Sequence, residues 1–204
     1  METSNRELTV GKGRFESLSD GIFAVAITLL ILEVHLPANV GPNTPLPQQF
    51  HALVAIWPQY LVYIATFATI AIMWLNHHAL LDRAHRITHS IIIANFCLLV
   101  LICFLPFTIY VLEVLGLTPP AVVLYGITNF AIGCSYFFLQ RAVLRAHGKP
   151  PAPFTRWSIG LFAYPIATIV AFFLPLVSIF IIAFVGFVYA MPGSIELSRR
   201  SLDE

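Results

Sequence analysis

Charge is scarce in this chain: only 10% of its 204 residues are Asp, Glu, Lys or Arg, against about 25% in an ordinary soluble domain. The formal net charge is +1, so no basic surface exists to neutralise phosphates, and nucleic acid is excluded as a partner. Cysteine is scarce too. Cys97, Cys103 and Cys134 sit inside apolar runs without metal-ligand spacing; each is expected as a small buried hydrophobe, and together they say nothing of redox compartment. Alternating strand patterns are missing. The first twenty residues have no apolar run and mix Arg6, Glu7, Lys12, Arg14, Glu16 and Asp20, so no cleavable signal peptide is expected.

What the chain does have is apolar length. It is 58% hydrophobic, with 17 phenylalanines and a mean hydropathy of +0.84, and its apolar runs are long enough to cross a bilayer. Those runs predict an all-α membrane protein, because only helices satisfy their backbone within one segment in lipid. Six spans are expected, at roughly 17–36, 50–76, 90–112, 119–141, 157–174 and 177–195, within a single domain covering 1–204. Residues 157–195 carry no charge. They would make about 58 Å of helix, too long for one crossing, and Pro175 places the break near 174–178. All 11 Lys and Arg then fall on one side of the membrane, so both termini are expected in the cytoplasm and the protein in the inner (plasma) membrane.

The same distribution excludes other functions. With no Arg or Lys in mid-membrane there is no voltage-sensor ladder, and no internal repeat or Gly-interrupted pair of spans marks a transporter. His77, His78, His85 and His89 lack the Cys or paired carboxylate that would complete a metal site; solvated histidines are expected, with no metal and no cofactor. Trp57, Trp74 and Trp157 read as interface anchors. Arg141, Arg145, Lys149 and Arg156 could attract anionic lipid, though topology alone accounts for them.

The first span is short. Between Asp20 and Glu33 only Gly21 to Leu32 is uncharged, roughly 18 Å of helix at ~1.5 Å per residue, against about 30 Å of hydrocarbon. At about 100° per residue, Leu18, Gly21, Val25, Thr28 and Leu32 form one stripe about 80° wide, the seam geometry of helices that converge on an axis. Asp20 points about 120° away from it, and Glu33 flanks its outer end. A carboxylate at this depth needs a partner. The helix-end residues Asn76, His77 and His78 supply the expected one, through an Asp–His contact. On the residues alone, such a stripe is also what ordinary helix packing presents, with Thr28 bonded to its own helix backbone.

The stretch "RFESLSD" followed by "GIFAVAITLLILEV" resembles the R-x-x-x-F-S-D signature of the transmembrane protein 175 family, the lysosomal potassium channels and their bacterial relatives. Arg14, Ser19 and Asp20 match it, and Leu18 stands where the family has Phe. "WLNHH" (74–78), carrying Asn76 and His77, is similar to the family's second-helix ending.

The resemblance implies a homotetrameric cation channel whose pore is lined by four copies of the first helix. It has no carbonyl filter; instead Val25 forms an apolar constriction and Thr28 a selectivity layer. Leu32, one turn outward, would add a second apolar ring, and Glu33 would meet the outer mouth. Potassium is the expected ion, with other monovalent cations passing more weakly. Arg14 also falls on the stripe if the helix is unbroken, so either the helix bends before Leu18 or partners hold Arg14 aside. Two rivals stand beside the channel: a secondary transporter using Asp20 as a proton or ion relay, and, more remotely, a membrane enzyme using the cytoplasmic histidines.

Overall fold

The computed structural model describes residues 11–146, 148 and 158–190. Every regular element among them is helical: α1 (Lys12–Leu29), closed by a 3-10 turn (Leu30–Glu33), α2 (Leu46–Ala55), α3 (Trp57–Asp82), α4 (His89–Leu115), α5 (Pro119–Ala146), α6 (Ser158–Val170) and α7 (Pro175–Ala190). Among the described residues, four segments are long and apolar enough to cross a membrane: Lys12–Glu33, Leu46–Asp82, His89–Leu115 and Pro119–Ala146. α6 and α7 are shorter, at 13 and 16 residues, or about 20 and 24 Å.

The second span differs from the sequence expectation. Helix already begins at Leu46, within the segment expected as a loop, and the long helix starts only at Trp57 and continues to Asp82. Pro58 is the cause: it has no N–H to bond the Val54 carbonyl, and its ring crowds that carbonyl. The backbone re-registers at Ile56, which accepts from the amides of Gln59 and Tyr60. The expected break in the last apolar run is present, with turns at 171–174 between Val170 and Pro175. The outer limits expected for those two spans, residue 157 and residues 191–195, lie outside the described residues, as do Arg6, Lys149, Arg156, Trp157, Arg199 and Arg200.

α4 packs along α5, α5 on α6, and α6 on α7, while α1 lies against both α3 and α4. Close approaches need small residues. A Cβ on Gly126 of α5 would stand 2.5 Å from the Thr168 hydroxyl oxygen of α6, and one on Gly186 of α7 2.9 Å from that of Thr69 on α3. Glycine at these crossings lets the backbones meet where lipid gives no hydrophobic drive. α4 stops at Gly116, whose φ of 64° turns the chain as few L-residues can.

The two ends of the bundle differ in charge. Lys12, at the start of α1, bonds the Asp82 backbone carbonyl at the end of α3 and approaches Glu16 at 3.6 Å. That pins one end, where Arg14, Arg83, Arg86, Arg141 and Arg145 also belong. At the other end Glu33 and Glu113 line one cavity of about 230 Å³ with Gln59 and Pro58, and the described loops 34–45 and 116–118 bring no Lys or Arg. Cys97 and Cys103 are exposed rather than buried as expected, because they fall on the face of α4 turned from the core residues Leu98, Leu99, Ile102 and Leu105.

Candidate functional site: the two faces of α1

α1 runs unbroken from Lys12 to Leu29, so of the two alternatives for Arg14 the break before Leu18 does not occur. One face is packed against α3 and α4. Phe15, Ser19, Phe23, Ala26 and, in the 3-10 turn, Leu30 are all buried, with Phe23 and Leu30 at 0% exposure. The opposite face carries the whole predicted stripe, and its own chain buries none of these residues. Leu18, Gly21, Val25, Thr28 and Leu32 are exposed, Val25 to 57% and Leu32 to 61%. Arg14 is exposed as well and has no ion-pair partner among the described residues. The Thr28 hydroxyl donates to the Val25 carbonyl at 2.9 Å. Its proton is therefore committed to the helix, and its oxygen lone pairs remain free to accept.

The packed face is anchored by polar groups that the core satisfies in sequence. Trp74 Nε1 donates to Asp20 Oδ1 at 2.8 Å. Asn95 Nδ2 donates to Ser19 Oγ at 2.9 Å, and Ser19 Oγ donates to the Phe15 carbonyl at 3.0 Å. With its amide nitrogen so engaged, Asn95 presents Oδ1 to His77 Nε2 at 2.6 Å, which assigns the proton to that ring nitrogen. The result is a one-way run from His77 to Asn95, Ser19 and the α1 backbone, tying three helices together. The Phe23 ring lies 5.1 Å from the His77 ring.

The expected Asp–His contact is thus replaced. Asp20 accepts from the Trp74 indole rather than from a histidine, a role not expected of Trp74 from the sequence. Trp74 lies one helical turn before His77 on α3, which places its indole beside Asp20 of α1. The WLNHH residues also separate around α3. His77 turns to Asn95, and His78 stacks on Trp74 with ring centroids 5.8 Å apart. Asn76 lines a small cavity of about 30 Å³ with Tyr136, Tyr164 and Gly186, its buried amide nitrogen without an acceptor. That space is about the size of one water molecule.

Asn95 and Glu113 went unpredicted. Asn95 had a legible signal, an amide in an otherwise apolar run, where polar groups require partners. Glu113 had a weaker one, a carboxylate just beyond the end of the third expected span, whose significance depends on its meeting Glu33.

Comparison with known proteins places this geometry. The sequence pattern of the family described as "Endosomal/lysosomal potassium channel TMEM175" matches residues 14–106. A potassium channel of Chamaesiphon minutus is 41% identical over 95 residues, covering 47% of this chain and 46% of that protein. A potassium channel of a Chryseobacterium strain is 27% identical over 197 residues, covering 93% of this chain and 98% of its own. In the two relatives at 40–41% identity the matched segment spans just under half of the relative's length. The crystal structure of a lysosomal potassium-selective channel TMEM175 homolog from Chamaesiphon minutus superposes with a TM-score of 0.76 at 30% identity, covering 88% of this chain and 96% of that one. By fold and sequence together, this chain belongs to the TMEM175 family.

Proposed function

We propose that the protein is a potassium-preferring cation channel of the plasma membrane, a homotetramer of six-span protomers with cytoplasmic termini, conducting along an axis lined by α1. The observation that carries this reading is the uncovered stripe. Leu18, Gly21, Val25, Thr28 and Leu32 stand exposed on a helix whose other face is packed against α3 and α4. A lipid-facing helix has no use for a short apolar window bounded by Asp20 and Glu33, whereas a helix enclosed by others does not need to match the bilayer.

On this axis Val25 and Leu32 form two apolar rings that oppose ion passage by dewetting rather than by charge. Between them four Thr28 hydroxyls, their protons held by Val25 carbonyls, offer oxygen lone pairs in partial exchange for a hydration shell. Partial exchange gives modest discrimination and favours the ion that loses water more cheaply, potassium over sodium. Four Glu33 carboxylates raise the cation concentration at the outer mouth. Arg14 lies roughly 16 Å along the helix from Val25, beyond the ~8 Å Debye length at physiological salt. Its charge thus bears on the inner mouth and not on the constriction.

The relay reading of Asp20 has no comparable support: the carboxylate points away from the stripe and is bonded to Trp74. The test is reconstitution of the purified chain in liposomes and measurement of the reversal potential under a potassium/sodium gradient. A cation current reversing toward the potassium potential is expected. Absence of current, or substrate-coupled saturable flux abolished by Asp20→Asn, overturns the channel reading.

A further inference from the structure

At the basic end, away from α1, a groove of about 700 Å³ opens between the start of α4 and the end of α5. Thr88, Ser90, Ser135, Arg141 and Arg145 supply its polar part, and Ile93 and Phe138 belong to its apolar part. None of its lining residues is acidic. Thr88 caps α4, its hydroxyl accepting from the Ile91 amide at 3.4 Å, while the first amides of α4 have no carbonyl inside the helix to bond. The Arg141 guanidinium rests 4.5 Å from the centre of the Phe137 ring, and its Nε is enclosed without an acceptor. Arg145, one helical turn on, is exposed.

We propose that this groove is a binding site for an anionic phospholipid of the leaflet at the basic end. Its phosphate would sit among Arg141, Arg145, Ser90 and the start of α4, and an acyl chain would lie along Ile93 and Phe138. The charge fits: two guanidiniums, the Thr88 and Ser90 hydroxyls and the α4 N-terminus form a donor set made for a phosphodiester. The apolar part chooses between sources. Ile93 is 51% exposed and Phe138 63%; a free phosphate ion would leave both bare, whereas a lipid covers them with its own chain. A second copy of the protein is the poorer occupant, because burying two unpaired arginines against a copy with the same charge is costly.

The site is independent of the pore assignment, since its readout is binding rather than current. The full chain, purified in detergent, is titrated with phosphatidylglycerol, phosphatidylcholine and inorganic phosphate, following the melting temperature and lipid retention by native mass spectrometry. Phosphatidylglycerol is expected to be retained and to raise the melting temperature, and the other two to do neither. Arg145→Gln should weaken phosphatidylglycerol about fivefold, the equivalent of ~1 kcal/mol per basic side chain at an anionic surface. Ser90→Glu guards against a folding artefact: an acidic residue in the first turn favours α4 yet repels the phosphate, so it should lower lipid affinity without lowering the unliganded melting temperature. Equal retention of phosphatidylcholine, equal protection by phosphate, or unchanged phosphatidylglycerol affinity in both variants overturns the proposal. So does a change of particle mass in Arg145→Gln, which would assign the groove to a contact between copies.

Discussion

The buried face of α1, with Phe15, Phe23 and Leu30, and its open face, with Leu18, Val25 and Leu32, belong to one continuous helix, yet they are stabilised in opposite ways. On the buried face each polar group has a designated partner: Ser19 accepts from Asn95 and donates to Phe15. On the open face the only polar side chain between Leu18 and Leu32, Thr28, is satisfied by its own helix, and the apolar ones Leu18, Val25 and Leu32 leave about half or more of their surface uncovered by their own protomer. The first face holds the helix in place and specifies its rotation. The second is left for something outside the protomer, and its rotation is set by the first. A change to the packed face should therefore cost folding stability, and a change to the open face should alter conduction while leaving the protomer folded.

The largest expected effect lies on the packed face. Asn95→Leu removes the acceptor for His77 Nε2–H and the donor to Ser19 in a position that is 1% exposed. Each buried group left unpaired costs about 1–3 kcal/mol, so the melting temperature in detergent should fall by many degrees and assembly should suffer with it. If Asn95→Leu melts with the native protein, the run of hydrogen bonds does not fix α1.

Next in size is the open face at its narrowest proposed rings. Val25→Asn and Leu32→Asn replace apolar side chains by amides that can wet the pore, and unitary conductance should rise by roughly an order of magnitude where dewetting sets the barrier. The melting temperature should stay near the native value, because neither side chain is buried in the protomer. The variant with the larger increase identifies the tighter ring. Loss of folding with no gain in conductance would reverse the contrast between the faces.

How far this contrast was readable beforehand depended on what each residue needs. Helical periodicity alone separates Leu18, Val25 and Leu32 from Phe15, Phe23 and Leu30, because that separation is a property of one helix. Which partner Asp20 would take was not readable. Trp74 and His77 lie one turn apart at the expected end of the second span, both can donate to a carboxylate, and which one does depends on how α3 packs against α1 and α4, here with Trp74 on Asp20 and His77 on Asn95. The Pro58 break was missed for a related reason: a proline at the second position of a helix and a proline that kinks one look alike until the preceding turn is seen to be helical. The exposed cysteines record the same limit, since apolar surroundings in sequence mean either core or lipid, and only the packing of α4 decides.

A smaller effect is expected at Thr28. Thr28→Ala deletes the acceptor oxygens without changing the apolar rings on either side, so total current should persist while the potassium-to-sodium permeability ratio falls about two- to threefold, a fraction of a kcal/mol. Thr28→Ser, which keeps the hydroxyl and loses the methyl, should retain most of the ratio. If Ser and Ala behave alike, the layer acts by size and not by its oxygens.

The smallest effect should be at Glu33, and its salt dependence makes it decisive. Glu33 is half-buried at the acidic end, in the same cavity as Glu113. Glu33→Gln removes four charges from the proposed mouth but nothing from the rings or the hydroxyl layer. A mouth charge only concentrates cations, so conductance at ~0.01 M salt, where the Debye length is about 30 Å, should fall by less than about twofold. At ~1 M, with a length near 3 Å, the variant and native channels should conduct alike. A deficit that persists at high salt would mean that Glu33 contacts the ion directly. The open face would then discriminate by charge as well as by wetting, and its contrast with the packed face would no longer be one of apolar exposure alone.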